Sequence, residues 1–200
     1  DGSVKLTTGT LDYGQGHATP FAQVLSEQLG VPFEKITLEQ GDSDLVRFGN
    51  GTGGSRSITA TGQAIVEASA LVVEKGKKAA AHMLEASEAD IEFGQGRFTI
   101  AGTDRSIGIM ELAERMRTGK MPEGTPETLD VDHATKETAS TFPNGCHVAE
   151  VEIDPATGII KIVNYVIVDD FGKTLNPLLL AGQVHGGAMQ GIGQALMEQV

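Results

Sequence analysis

Two hundred residues suit one large domain or two small ones and are ample for a core, while a formal charge of −12 argues against nucleic acid and anionic membrane surfaces as partners. The single cysteine, Cys146, excludes an internal disulfide and any cysteine-cluster iron–sulfur or zinc site within the chain. No apolar run is long enough to span a bilayer, and 26 glycines are many for a globular chain.

In chain order, residues 4–10 alternate apolar and polar side chains and predict a half-buried strand. A loop over 11–17 follows. Thr19 reads as an N-cap with Pro20 at the first helical position, Phe21, Val24, Leu25 and Leu29 recur at helical spacing, and Gly30 ends the helix. Residues 35–40 alternate again and predict a second strand. A glycine-rich loop over 41–57 is too long for a mere connection. Next comes the longest periodic segment, 58–86, with Ile58, Ile65, Val72 and Ala79 on one stripe and Glu74, Lys75, Lys77 and Lys78 on a solvated face.

Residues 90–100 predict a hairpin turning at Gly94-Gln95-Gly96. A short amphipathic helix over 107–116 is expected to open at Ser106. Residues 118–140 read as a long irregular loop. Strands at 148–153 and 159–168 flank Asp154-Pro155-Ala156-Thr157-Gly158, a hairpin turn. A polar loop over 169–177 leads into a helical segment over 178–200. Its many glycines suggest close contact with another helix or a ligand. Cys146 is expected to be buried, and His185 to pack within the terminal helix.

The fold class expected is α+β, with short mixed sheets packed with the long helix and the C-terminal helix. The organisation expected is a first α+β subdomain over 1–105 carrying both glycine loops, a short helix and irregular loop over 106–140, and a hairpin, polar loop and glycine-rich helix over 141–200. The chain opens at Asp1 without Met and stops within a helical pattern. It is therefore expected to be part of a longer polypeptide.

The two loops carry the chemistry. Tyr13-Gly14-Gln15-Gly16-His17 and Phe48-Gly49-Asn50-Gly51-Thr52-Gly53-Gly54-Ser55-Arg56-Ser57 each precede a helix, where unpaired N–H groups and a dipole favour anions. Neither is a Walker A motif or a dinucleotide-binding fingerprint. Arg56 suits either a phosphate or the acidic pair Asp42 and Asp44, and His17 reads as structural rather than as a base.

Gly14-Gln15-Gly16-His17-Ala18-Thr19, Gly41-Asp42-Ser43-Asp44, Gly51-Thr52-Gly53-Gly54-Ser55-Arg56-Ser57, Gly182-Gln183-Val184-His185-Gly186-Gly187 and Gln190-Gly191-Ile192-Gly193 stand in this order along the chain. Together they resemble the large, molybdopterin-binding subunit of the xanthine dehydrogenase, aldehyde oxidase and aerobic carbon monoxide dehydrogenase superfamily. The resemblance implies a molybdenum held through a pterin dithiolene, in the cytosine dinucleotide form, with no protein metal ligand. It implies that Gln15 hydrogen-bonds the apical oxo. Gly14, Gly16, His17, Thr52, Gly53, Gly54, Ser55, Arg56 and Ser57 would hold the cofactor, with Asp170, Asn176 and Gln183 as further contacts. It also implies iron–sulfur and FAD partner subunits, a dimer of heterotrimers and a cytoplasmic location. The family's catalytic glutamate sits in a Gly-x-Gly-Glu loop beyond this segment, so the segment alone is expected to be inactive. A non-catalytic nucleotide-binding or assembly module of the same fold is the alternative.

Overall fold

The computed structural model describes residues 2–46, 48–119 and 121–198, so Arg47 of the second loop and Gln199 and Val200 of the expected terminal helix lie outside the described residues. The chain divides into two compact units, Asp1–Thr138 and Ala139–Val200. Both mix helix and strand, as the α+β expectation requires.

In the first unit, β1 (Val4–Thr8) and β2 (Ile36–Gln40) pair in parallel, with Val4 opposite Ile36 and Thr8 opposite Gln40. Parallel pairing needs a crossover, which α1 (Ala18–Leu29) supplies. α1 stops where the sequence says it should: Gly30 adopts φ 61° and donates its N–H to Ser26 O at 2.8 Å. Its start differs from expectation. The helix begins at Ala18, His17 is the cap residue, and Thr19 makes no cap bond. Pro20 is tolerated because N–H groups of a first turn have no helical partner.

The long helix α2 (Ser57–Leu84) buries Gly62, Ile65, Ser69, Gly76 and Ala79–Ala81. Ile58, expected along the stripe, is exposed, as is Val66 beside Ile65, while Val72 is half-buried. β3 (Ile91–Gly94), β4 (Arg97–Ile100) and β5 (Ser106–Gly108) form an antiparallel sheet beside it. Phe98 is fully buried there, and a Cβ on Gly76 would stand 2.8 Å from its Cε1. That explains a glycine in mid-helix: the ring lies directly on the helix backbone.

The turn at Gln95-Gly96 has φ 49° and 74°, and Gly96 also touches Gly30, whose added Cβ would lie 2.5 Å from the Gln95 carbonyl carbon. The helix expected to open at Ser106 begins instead at Ile109, as α3 (Ile109–Thr118). Ser106 is used in β5, where it pairs with Thr99.

A strap without regular structure follows α3. Met121 and Leu129 pack against the core, and Lys75 Nζ donates to Asp130 O at 2.5 Å. His133 Nε2 (2.6 Å) and Thr135 Oγ1 (2.8 Å) both meet Glu67 Oε2 on α2.

The second unit is the hairpin β6 (Asn144–Ile153) and β7 (Ile160–Asp170) with α4 (Pro177–Leu196). Asp154 builds the turn, its carboxylate accepting from Ala156 N at 2.9 Å and Thr157 Oγ1 at 2.7 Å. Asp169 and Asp170, expected in a loop, finish β7. None of the described residues of this unit is buried. Cys146 and His185, expected inside, are both exposed, because β6 and α4 have no covering layer within the unit.

Candidate functional site

The strand ends of the first unit build a polar floor. Gln40 Nε2, at the end of β2, donates to Thr8 Oγ1 at 2.9 Å and Thr10 Oγ1 at 2.6 Å, and lies 3.4 Å from His17 Nδ1. His17 is buried, with its ring 5.0 Å from that of Phe21 and stacked on it. It is a prop beneath the first loop rather than a group facing outward.

Above it the loop wraps around the carboxylate of Asp12. Oδ1 accepts from Gly14 N at 2.7 Å and Gly16 N at 3.3 Å, and Oδ2 accepts from His17 N at 2.6 Å. Gly14 at φ 108° and Gly16 at φ 77° permit that winding. Desolvation pushes the Asp12 carboxyl up, but the N–H groups of His17, Gly14, Gly16 and Gln15 outweigh it and hold the group below its ordinary value. The expectation that the N–H groups of Gly14, Gly16 and His17 stand open to an anion therefore changes. An internal carboxylate already takes them.

Gln15 is half-buried, and its Oε1 accepts the N–H of Tyr13. An N–H can meet only the amide oxygen, so this bond fixes which end of the amide is which. The oxygen is engaged, and Nε2 remains as the donor.

The second loop is clasped to the first. Gly51 N donates to Gly9 O at 3.1 Å, and Leu11 N donates to Thr52 Oγ1 at 3.1 Å. Gly9 and Gly49 are in backbone contact, since a Cβ on Gly9 would sit 2.5 Å from Gly49 Cα. The Ser57 hydroxyl lies 3.2 Å from Thr52 Oγ1. Thr52 and Ser57 thus tie the loops together. Gly53, Gly54, Ser55 and Arg56 remain exposed, and Gly54 and Ser55 have φ 63° and 53°. Arg56 precedes α2 and forms no ion pair with Asp42 or Asp44. The bracing role weighed for it is thus not seen among the described residues.

Three expected site residues belong to the second unit. Asn176 caps α4, its Oδ1 accepting from Leu179 N at 3.1 Å. Asp170 Oδ1 accepts from Gly172 N at 2.8 Å. Gln183 lies exposed on α4. A Cβ at Gly182, Gly186, Gly187 or Gly191 would meet nothing within 4 Å. Asp12 was missed in the sequence, although an Asp two residues before a glycine is the signal of a side chain turning back on its own backbone.

The whole chain, residues 1–200, matches the family described as the molybdopterin cofactor-binding domain. It belongs to that family. Among relatives of this molybdopterin cofactor-binding domain, the carbon monoxide dehydrogenase large chain of Hydrogenophaga pseudoflava is 36% identical over 199 residues, covering 100% of this chain and 25% of the relative. The nicotine 6-hydroxylase large subunit of Paenarthrobacter nicotinovorans is 38% identical over 202 residues, with the same 100% and 25% coverage. Quinoline 2-oxidoreductase from Pseudomonas putida 86 has a structure that superposes with TM-score 0.84 at 31% identity, covering 100% of the domain and 26% of that chain. The domain thus spans about a quarter of the length of the relatives it matches.

Among the described residues no group of three or more His, Cys, Asp or Glu side chains could hold a metal ion. The candidate site offers the Gln15 amide, whose Oε1 is taken by Tyr13 N–H, and the exposed residues Gly53, Gly54, Ser55 and Arg56. No helix among the described residues is long and apolar enough to cross a membrane.

Proposed function

We propose that the chain is the cofactor-holding portion of the large subunit of a molybdenum-dependent oxidoreductase. The observation that carries this reading is the tether of Gln15 to Tyr13 N–H, which presents a fixed amide donor at the head of a loop clasped to a second glycine loop. When bound, the molybdenum cofactor supplies two-electron oxidation of a carbon substrate, with water as the oxygen source. The protein's part is to hold and orient it.

Gln15 would donate a hydrogen bond from Nε2 to an oxygen of the bound cofactor. Gly14, Gly16 and His17 shape the loop that carries it. The N–H groups of the exposed residues Gly53, Gly54 and Ser55, with the Arg56 guanidinium, suit the phosphates of a dinucleotide form, cytosine being the expected base. Thr52 and Ser57 hold that loop in place, and Asp170, Asn176 and Gln183 are assigned further contacts. The general base, iron–sulfur and FAD carriers belong to other segments and subunits of a cytoplasmic complex, a dimer of heterotrimers. The isolated 200-residue segment is expected to be inactive.

Metal and nucleotide analysis of the full-length protein tests this. Molybdenum and released cytidine monophosphate are expected in equal amounts. A preparation lacking molybdenum, from cells that load another molybdenum hydroxylase, overturns the reading.

A further inference from the structure

The first loop holds an anion of its own, and what that anion does to Gln15 is open to inference. Asp12 reaches three main-chain N–H groups on both sides of Gln15: Gly14 before it, and Gly16 and His17 after it. Two contacts are short, 2.7 and 2.6 Å, as bonds to a charged acceptor are. Gln15 sits at the apex of this wrap. Its side chain is folded back on Tyr13, the residue directly after Asp12. The two interactions therefore share one short piece of backbone. Moving Gly14 or Gly16 moves Gln15, and the Tyr13 N–H loses its acceptor.

The geometry points to Asp12 as the positioning residue of this site: its carboxylate winds residues 12–17 into the conformation that ties Gln15 Oε1 to Tyr13 and leaves Gln15 Nε2 as the remaining donor. Its functional weight rests on the proposed role of Gln15, whereas its geometric content does not. A carboxylate has the two oxygens this task needs. An asparagine keeps one acceptor but opposes an NH2 to a main-chain N–H. A serine reaches Gly14 through the same short turn but cannot span to His17.

Residue-resolved amide hydrogen exchange on the full-length protein reads the placement of Gln15 without activity. Tyr13 N–H is the reporter, since its acceptor is Gln15 itself. Gln15→Ala should speed exchange at Tyr13 alone. Asp12→Asn should speed exchange at Gly16 and His17, and also at Tyr13, by about tenfold, the scale for losing a hydrogen bond to a charged acceptor. Asp12→Ser should retain protection at Gly14 while losing it at His17 and Tyr13. Unchanged Tyr13 exchange in both Asp12 variants would reduce Asp12 to a local cap and overturn the inference. Turnover per bound molybdenum gives a second reading. Asp12→Asn should lower kcat with little change in KM, and the Asp12→Asn, Gln15→Ala double variant should be no slower than Gln15→Ala alone. Additive losses overturn the inference. A wild-type protein without molybdenum overturns the proposed function instead, and the exchange experiment still decides the role of Asp12.

Discussion

Gly9 and Gly49 touch backbone to backbone, and a Cβ on Gly49 would stand 2.5 Å from Gly9 O. This contact, with the Gly51 N–H donated to Gly9 O, joins the two loops of the candidate site. Gly49→Ala must therefore push the loops apart, because main chain cannot rotate away as a side chain can. Overpacking of this kind typically destabilises by about 1–3 kcal/mol. The expected outcome in the full-length protein is a lower melting temperature, faster exchange at Gly51 N–H and reduced molybdenum content. An unchanged Gly51 amide in Gly49→Ala would contradict the clasp.

Gly76 and Phe98 make a similar contact inside the core. Alanine is favoured over glycine in a helix by about 0.8–1 kcal/mol, so Gly76→Ala would ordinarily stabilise α2. Here the methyl would enter the Phe98 ring. The sign should reverse, with Gly76→Ala destabilising by about 1–3 kcal/mol. Phe98→Leu in the same protein should relieve part of that loss, since the leucine is smaller. Denaturation midpoints of the two single variants and the double variant check this, and strictly additive losses would rule out the contact as the cause.

Glu67 fastens the strap to α2. Hydrogen bonds from His133, Gln63 and Thr135 lower its pKa from 4.5 to about 2. A depressed folded-state pKa means that the stabilisation is fully present above the unfolded value and is lost as pH falls through the folded one. The strap should therefore stay fastened above pH 4.5 and loosen between pH 4.5 and about 2. Proteolysis within residues 121–138 should be slow in the wild type and fast in Glu67→Gln at neutral pH, with the difference vanishing toward the acid end. Equal cleavage of both proteins at neutral pH would show that Glu67 does not hold the strap.

Much of this was legible locally. Gly30 as the end of α1, the turn at Asp154 and the existence of the long helix α2 are set by residues near in sequence and stand where they were expected, although Ile58 of the expected α2 stripe is exposed. Misreadings arose where distant partners decide. Ser106 carries a helix-start signal, yet pairing with Thr99 draws it into a sheet. Thr19 carries a cap signal, yet the helix already begins at Ala18, and the Phe21 N–H that a Thr19 cap would take is donated to His17 O at 3.1 Å. In the candidate site, the Gly-Gln-Gly motif suggested an open anion site, whereas the Asp12 carboxylate takes the N–H groups of Gly14, Gly16 and His17. The bond between Gln15 and Tyr13, the clasp between Gly9 and Gly49, and the burial of His17 depend on how the chain closes on itself, which no spacing reveals.

Gln15 supports the most direct test of the proposed function, because its two amide atoms have separate tasks. Oε1 holds the loop through Tyr13 N–H, and Nε2 is the donor that remains. Gln15→Glu keeps an oxygen for Tyr13 and should keep the loop folded, but it replaces the donor with an acceptor and a negative charge. Gln15→Ala removes both functions. A preorganised donor facing developing negative charge in a dry site is worth about 2.7–4 kcal/mol, or a factor on the order of a hundred to a thousand in kcal-equivalent rate. Turnover per bound molybdenum should fall by about a hundredfold or more in Gln15→Ala, and further in Gln15→Glu, because the added charge is repulsive where the amide was attractive. Melting temperature should follow the opposite order, with Gln15→Glu nearer to wild type than Gln15→Ala. If Gln15 served only to hold the loop, Gln15→Glu would be the more active of the two. Measuring melting temperature, molybdenum content and turnover on the same preparations distinguishes the cases, and near-normal turnover in Gln15→Glu would remove Gln15 from the catalytic machinery.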